Sequence, residues 1–500
     1  MKRILSLLLA ALMVGSFAAC GQKETTAQSD NAQATAAETE KSNVDANGFL
    51  LDDLPAALTY NGATFNILIG NYMEAYRDDI YSEGETGELF NDSVYNATRS
   101  VEERMSVKVE MREEKFNYPA TPWSTLIQEL VMAGDDTYGL VYGYPLTATA
   151  TSGEKYFHNF IGAKYIDLEK PWWNKDQTAV YPTDNVLLYL RGAFTVGELR
   201  HAFVIFFNQD SLTNHNIKDN LYDLVNEGKW TLDKLDEFAS VGYNDVNGDG
   251  TRDIGDEYGL TAGDTNKYRG IPAVCNEPMF KKNADGSFTF NMNSERMTNI
   301  VEKFHALTTA PYYLHAVGNQ ENAQSVFSFG GNYMSKPFTE GRAMFTWDLT
   351  GNAQYMQTLC DFSIGMVPFP KFDENQDGYY TSVQRHEHIY VPVSVKDFDR
   401  SCAIIEAYCS QYYRSVHPAY FENCLKARYS SDNAMSQMFD LVRDGMIEQM
   451  GETFSSNFKK NVDTFKSIET LTTWASDMAS VAEAAQAAAD ELVERLRTLE

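Results

Sequence analysis

Thr64-Phe65-Asn66-Ile67-Leu68-Ile69-Gly70 is the stretch that decides the fold. An apolar run closed by glycine reads as a buried strand. Downstream, Val94, Ala97, Val101 and Met105 recur at helical spacing, and Val107, Val109 and Met111 then alternate as a second strand. Leu126, Ile127, Leu130 and Val131 mark another helix that stops near Gly134, and Gly139-Leu140-Val141-Tyr142 is a short buried strand. Strand, helix, strand, helix, strand is the pattern of a parallel sheet with helical crossovers, so the fold class is α/β.

A second α/β block follows. Phe203-Val204-Ile205-Phe206-Phe207-Asn208 is a continuous apolar strand. Thr231 is placed to cap a helix whose apolar face is Leu232, Leu235, Phe238 and Ala239. Beyond residue 400 the pattern is mostly helical, ending in the Ala- and Glu-rich stretch Val481 to Leu499. A chain of 500 residues exceeds the usual size of one core, which predicts two lobes. No repeat of solenoid length is present.

The N-terminus predicts export. Lys2 and Arg3 precede the apolar run Ile4 to Val14, which is too short to span a bilayer. Ser16-Phe17-Ala18-Ala19-Cys20-Gly21 resembles the end of a bacterial lipoprotein signal, with Phe17 where leucine is usual. The resemblance implies a signal peptide over 1–19, cleavage before Cys20 and a diacylglyceryl anchor on its sulfur. Stable anchoring takes more than one acyl chain, which such a group supplies. Ordinary secretion with a chance cysteine is the alternative. Residues 20–56 are the lipidated cysteine and a flexible tether, since 21 to about 46 carry no large apolar residue before Val44. A coil of that length reaches roughly 25–30 Å. No later stretch is apolar enough to cross a membrane, so the expected location is outside the cell, anchored to the membrane through Cys20.

The formal net charge of −29 becomes −31 once Lys2 and Arg3 are removed. Such a surface repels nucleic acid and anionic headgroups and serves solubility. Cys275, Cys360, Cys402, Cys409 and Cys424 form no tight spacing and read as free thiols rather than a disulfide framework.

Three segments then carry a family resemblance: Asn208-Gln209-Asp210-Ser211-Leu212, Gly228-Lys229-Trp230-Thr231-Leu232-Asp233-Lys234-Leu235 and Tyr258-Gly259-Leu260. With Phe338-Thr339-Glu340-Gly341-Arg342-Ala343-Met344-Phe345 and Gly365-Met366-Val367-Pro368-Phe369-Pro370, their order resembles extracellular solute-binding proteins of the maltose-binding type (family 1) of ABC transporters. The resemblance covers roughly residues 60 to 480. It implies a periplasmic-binding-protein type II-like fold: two α/β lobes joined by a hinge, with a ligand cleft. The expected division puts 57–150 with about 310–370 in lobe 1. About 151–309 with 371–500 makes lobe 2 and the C-terminal helices. It also implies a non-enzymatic role in carbohydrate transport, with a sugar as ligand and the transmembrane subunits of an ABC permease as partners.

The sharpest local motif is Asp245-Val246-Asn247-Gly248-Asp249-Gly250-Thr251-Arg252-Asp253-Ile254-Gly255-Asp256. Calcium loops place oxygens at positions 1, 3, 5, 7, 9 and 12 with glycine at 6. Here those are Asp245, Asn247, Asp249, Thr251, Asp253 and Asp256, an expected structural Ca2+ site; the alternative is a solvated acidic turn. Asp373-Glu374-Asn375-Gln376-Asp377-Gly378 lacks acids at the later positions and reads as a turn. Aromatic platforms with a few polar groups suit sugars. The candidates are Trp347, Trp173, Trp172 and Tyr144, with Asp348, Arg385 and Glu387 for hydroxyls; core packing is the alternative for each ring. No GxSxG, HExxH, Walker loop or GxGxxG in strand context is present, so no catalytic residue is assigned. A surface-anchored carbohydrate-active enzyme and a sensory or adhesive solute-binding surface protein are the rival functions.

Overall fold

The apolar run at 63–71 forms β1 (Ala63–Asn71) in the computed structural model. The residues described are 43–500 without 72–76, 117–120, 175–176, 263–264, 316–334, 383–386, 463, 466–467 and 469–472. β1 pairs in parallel with β2 (Val107–Lys115) on one side and β3 (Leu140–Gly143) on the other. Helices α1 (Leu89–Met105) and α2 (Thr121–Met132) make the crossovers. α1 stops where Ser106 takes a left-handed φ of 48°, which breaks the helical path and releases the chain into β2. α1 buries Val94, Ala97, Val101 and Met105, the face its spacing predicts.

The second sheet has the order β10-β4-β9-β5-β8. Its strands are β4 (Phe203–Asn208), β5 (Tyr258–Ala262), β8 (Tyr313–His315), β9 (Ala343–Leu349) and β10 (Ile364–Pro368). β6 (Phe280–Lys282) and β7 (Phe288–Phe290) form a separate hairpin. Every residue of β4, β9 and β10 is buried: β4 and β9 are internal to the sheet, and β10, at its edge, is covered by a later helix. Thr231 caps α3 (Leu232–Ala239), its side chain accepting the Lys234 N–H. The Trp230 indole donates to the Pro368 carbonyl at 3.0 Å, fixing that helix start to the end of β10.

The expected lobe boundaries need correction. Residues 310–370, expected beside 57–150, instead give β8, β9 and β10 to the second sheet. β9 supplies the ladder between β4 and β5, and nothing in the first sheet offers it a register. Conversely, β12 (His388–Tyr390) leaves the 371–500 block and pairs antiparallel with β3. α4 (Phe398–Arg414) follows it and packs on α1. Part of 151–202 also belongs to the first sheet, because Leu190 bridges Ile389 and Phe157 bridges Pro392.

The chain therefore passes between the sheets three times. It leaves Leu190 and reaches β4 at Phe203, and it returns from β11 (Thr381–Ser382) to β12. It goes back from α4 through a π-helical stretch, Ala419–Arg428, to α5 (Asn433–Asp444), which packs on β10. Past β13 (Met446–Ile447), the long C-terminal α6 (Trp474–Arg497) lies on β7. All five cysteines of the described chain are free thiols, Cys360 half-buried and the rest buried.

Candidate functional site

Strand register fixes where a ligand would sit. Gly143, at the carboxyl end of β3, pairs with His388, the first residue of β12. Leu349, at the carboxyl end of β9, pairs with Phe203, the first residue of β4. Both crossings therefore land on the carboxyl edge of the sheet they enter. The Thr381 hydroxyl, next to the second crossing, accepts the Phe203 N–H at 2.8 Å. In open α/β sheets, ligands bind outside the carboxyl ends of the strands. Here the two carboxyl edges meet at the same crossings.

On the first sheet that edge carries an aromatic group. Phe116 directly follows β2 and stacks on Trp123 at 6.0 Å and 5°. It meets Tyr144, just past β3, edge-on at 5.7 Å and 84°. The Trp123 indole donates to the Tyr144 carbonyl, and the Tyr144 N–H donates to the Gly70 carbonyl, each at 3.2 Å. Gly143 has a φ of 121°, and a Cβ there would overlap the Gly70 carbonyl, so only glycine lets β3 turn here. Trp123 is buried, whereas Phe116 and Tyr144 are half-buried. Beside the rings, the Asn71 amide donates to Glu113, which lies between Lys115 at 3.6 Å and Arg77 at 3.9 Å. Partly exposed ring faces with a polar rim are what a sugar's C–H face and hydroxyls require.

The other expected platforms are core. Trp347 is 2% exposed, enclosed by Phe203, Tyr268, Phe304 and Phe369, with the Phe369 ring 4.5 Å away. Trp172 and Trp173 are 1% and 3% exposed, and both indoles donate to the Glu406 carboxylate on α4, at 3.1 and 3.0 Å. Burial pushes Glu406 up to about 8 against the pull of those two N–H groups. Asp348 is fully buried and accepts the Leu349 N–H and the Asn352 amide, which shapes the turn after β9. Glu387 is buried between the crossings, away from solvent. Arg385 and Cys20 lie outside the described residues. Tyr144 is thus the expected ligand residue that the structure places on a half-exposed edge. Phe116 and Trp123 went unread, although their positions after β2 and at the start of α2 were a usable signal.

In the acidic loop, the side chains expected to hold calcium face the loop's own backbone. The two Asp245 oxygens accept the Gly248 and Gly250 N–H groups at 2.7 and 2.8 Å. Asp249 accepts Thr251 N–H, and Asp256 accepts Val246 and Asp253 N–H. Among the described residues, no group of three or more His, Cys, Asp or Glu side chains is placed to hold a metal ion. The loop's carboxylates are turned onto its own backbone, so Asp245, Asn247, Asp249, Thr251, Asp253 and Asp256 form a self-capped turn. The Asp373 segment is a turn as expected, its carboxylate accepting the Asn375 and Gln376 N–H groups.

No protein-family model matches the sequence, and no curated protein sequence matches it significantly. Solved structures match along almost their whole length. The galacto-N-biose/lacto-N-biose I-binding protein of an ABC transporter from Bifidobacterium longum aligns at 13% identity and a TM-score of 0.55, over 88% of this chain and 98% of that one. The fold is that of the type II solute receptors of ABC importers. The cyclic α-maltosyl-1,6-maltose-binding protein of Arthrobacter globiformis shares this receptor fold at 12% identity and a TM-score of 0.53, over 87% of this chain and all of that one. An ABC substrate-binding protein from Listeria monocytogenes, in complex with cycloalternan, does so at 10% identity and 0.51, over 87% and 99%. Among the described residues of this receptor fold, no helix is long and apolar enough to cross a membrane.

Proposed function

We propose that this chain is the extracellular substrate-binding lipoprotein of an ABC importer, capturing a carbohydrate by closure of its two lobes and delivering it to the permease. The observation that carries this reading is the half-exposed Phe116–Tyr144 pair, backed by Trp123, at the carboxyl edge where two crossings meet. It is supported by a fold shared with receptors described in complex with lacto-N-biose and cycloalternan. Binding needs no bond making. Ligand contacts to both lobes bias the closed form, which docks on the transmembrane subunits.

Titration calorimetry with a panel from monosaccharides to cyclic oligosaccharides tests the reading. Heat that saturates at one site per chain, with the sugar recovered intact, is expected. Silence across the panel overturns it, and recovery of cleaved sugar would point to the enzyme alternative. The membrane anchor is a separate part of the proposal. Labelled palmitate is expected in the wild-type chain and absent after Cys20→Ala.

A further inference from the structure

Glu387 stands at the end of the second crossing, and its carboxylate is packed against the first. A Cβ at Gly197 would overlap Glu387 Oε2, so the glycine is the space the carboxylate occupies. Glu387 is 2% exposed, and no other residue hydrogen-bonds either of its oxygens among the described residues. Asp79, 1% exposed, pairs with Arg200 on the helix Gly197–His201 and accepts the Thr195 hydroxyl at 3.2 Å. The same guanidinium lies over the rings of Phe90 and Tyr420, the latter on the third passage. Among the described residues, Arg200 is the cation that acts on both buried carboxyl groups, at the place where the three passages come together. A second uncompensated buried charge is too costly to keep.

We infer that Glu387 holds a proton at neutral pH, and that the Glu387–Asp79–Arg200 cluster is a pH-sensitive joint between the crossings. Burial, then the neighbouring Asp79 carboxylate, push Glu387 well above the usual carboxylate range. Burial also pushes Asp79 up to about 6 against the pull of Arg200. The other groups around the cluster are Glu198 and His201 on the Arg200 helix, Tyr142 on β3, Tyr412 on α4, and Asp78, while His388 on β12 stacks on Tyr189 instead. The His417 Nε2–H donates to the Thr195 carbonyl, 2.8 Å away, and burial pulls this imidazole below its ordinary value. When Glu387 loses its proton, a second negative charge appears against the Gly197 backbone, and the packing between crossings loosens. Stability from this cluster is complete below the unfolded carboxylate range and is lost as pH rises through the folded values. That ligand affinity follows the same pH dependence rests on the receptor reading; the proton itself does not.

The test is the unfolding free energy of the full chain from pH 5 to 8, whose slope counts protons released on unfolding or taken up. Glu387→Gln is expected to remove about one proton from that slope near pH 7. Asp79→Asn is expected to move the wild-type transition down by about one pH unit or more, because it removes the neighbouring charge. Infrared difference spectra should show a protonated carboxyl stretch that Glu387→Gln abolishes. A slope and a spectrum unchanged by Glu387→Gln would overturn the inference and hand the pH dependence to the histidines. Should Glu387→Gln not fold, the Asp79→Asn shift decides alone. A slope that changes as expected in a chain silent to every sugar would defeat the receptor reading and leave the proton in place.

Discussion

Phe116 and Tyr144 differ from the tryptophans of this protein in what surrounds them. Trp172, Trp173 and Trp347 are enclosed on every side, so they can offer a ligand nothing. Replacing Phe116 or Tyr144 with alanine is expected to weaken sugar binding about five- to thirtyfold in calorimetry, each at ~1–2 kcal/mol for a lost ring face. Trp172→Phe should leave affinity unchanged and lower stability, by about 1–3 kcal/mol for one buried acceptor on Glu406 left without its donor. Glu406 makes a pH prediction as well. Its folded value is raised from 4.5 to about 8, so its contribution is complete below about 4.5 and is lost as pH rises toward 8. Glu406→Gln should flatten thermal midpoints over that window, and identical profiles would count against a buried proton there. The site was only partly legible in the sequence for a reason at this scale. A ring that binds sugar and a ring that fills a core are the same residue type, and only the neighbours separate Tyr144 from Trp347.

Elements were far more legible than sites. β4 is a continuous apolar run closed by Asn208, β1 is a largely apolar stretch closed near Gly70, and α1 and α3 bury the faces that their spacing marks. The Thr231 cap is a local hydrogen bond that sequence can state in advance, and Thr231→Ala is expected to cost about 1 kcal/mol by urea unfolding. β12 was missed because three residues, His388–Tyr390, carry too little periodicity; its strand character comes from β3, far away in the chain. The π-helical stretch Ala419–Arg428 has no strongly one-sided apolar face to announce it. In the calcium motif the spacing was legible and the side-chain orientation was not. Its spacing matched, but Asp245 and Asp256 spend their oxygens on the backbone of their own loop.

For the whole molecule, the two-sheet plan was legible and its partition was not. Which strand sits beside which depends on pairings such as Ile205 with Trp347, and no local pattern records them. If the lobes close on ligand, small-angle scattering should report a smaller radius of gyration with a binding sugar than without, and an unchanged curve at saturation would argue for a rigid body. The partition also bears on how the protein is made. The first sheet lacks its fourth strand until His388–Tyr390 exists, and the helix that covers α1 comes later still. A nascent chain shorter than about four-fifths of the final length can hold every strand of the second sheet while the first remains incomplete. β1 meets β2 and β3 soon after they are made, but the outer side of β3 stays open until late in synthesis, so the docking of this half is a late, long-range event.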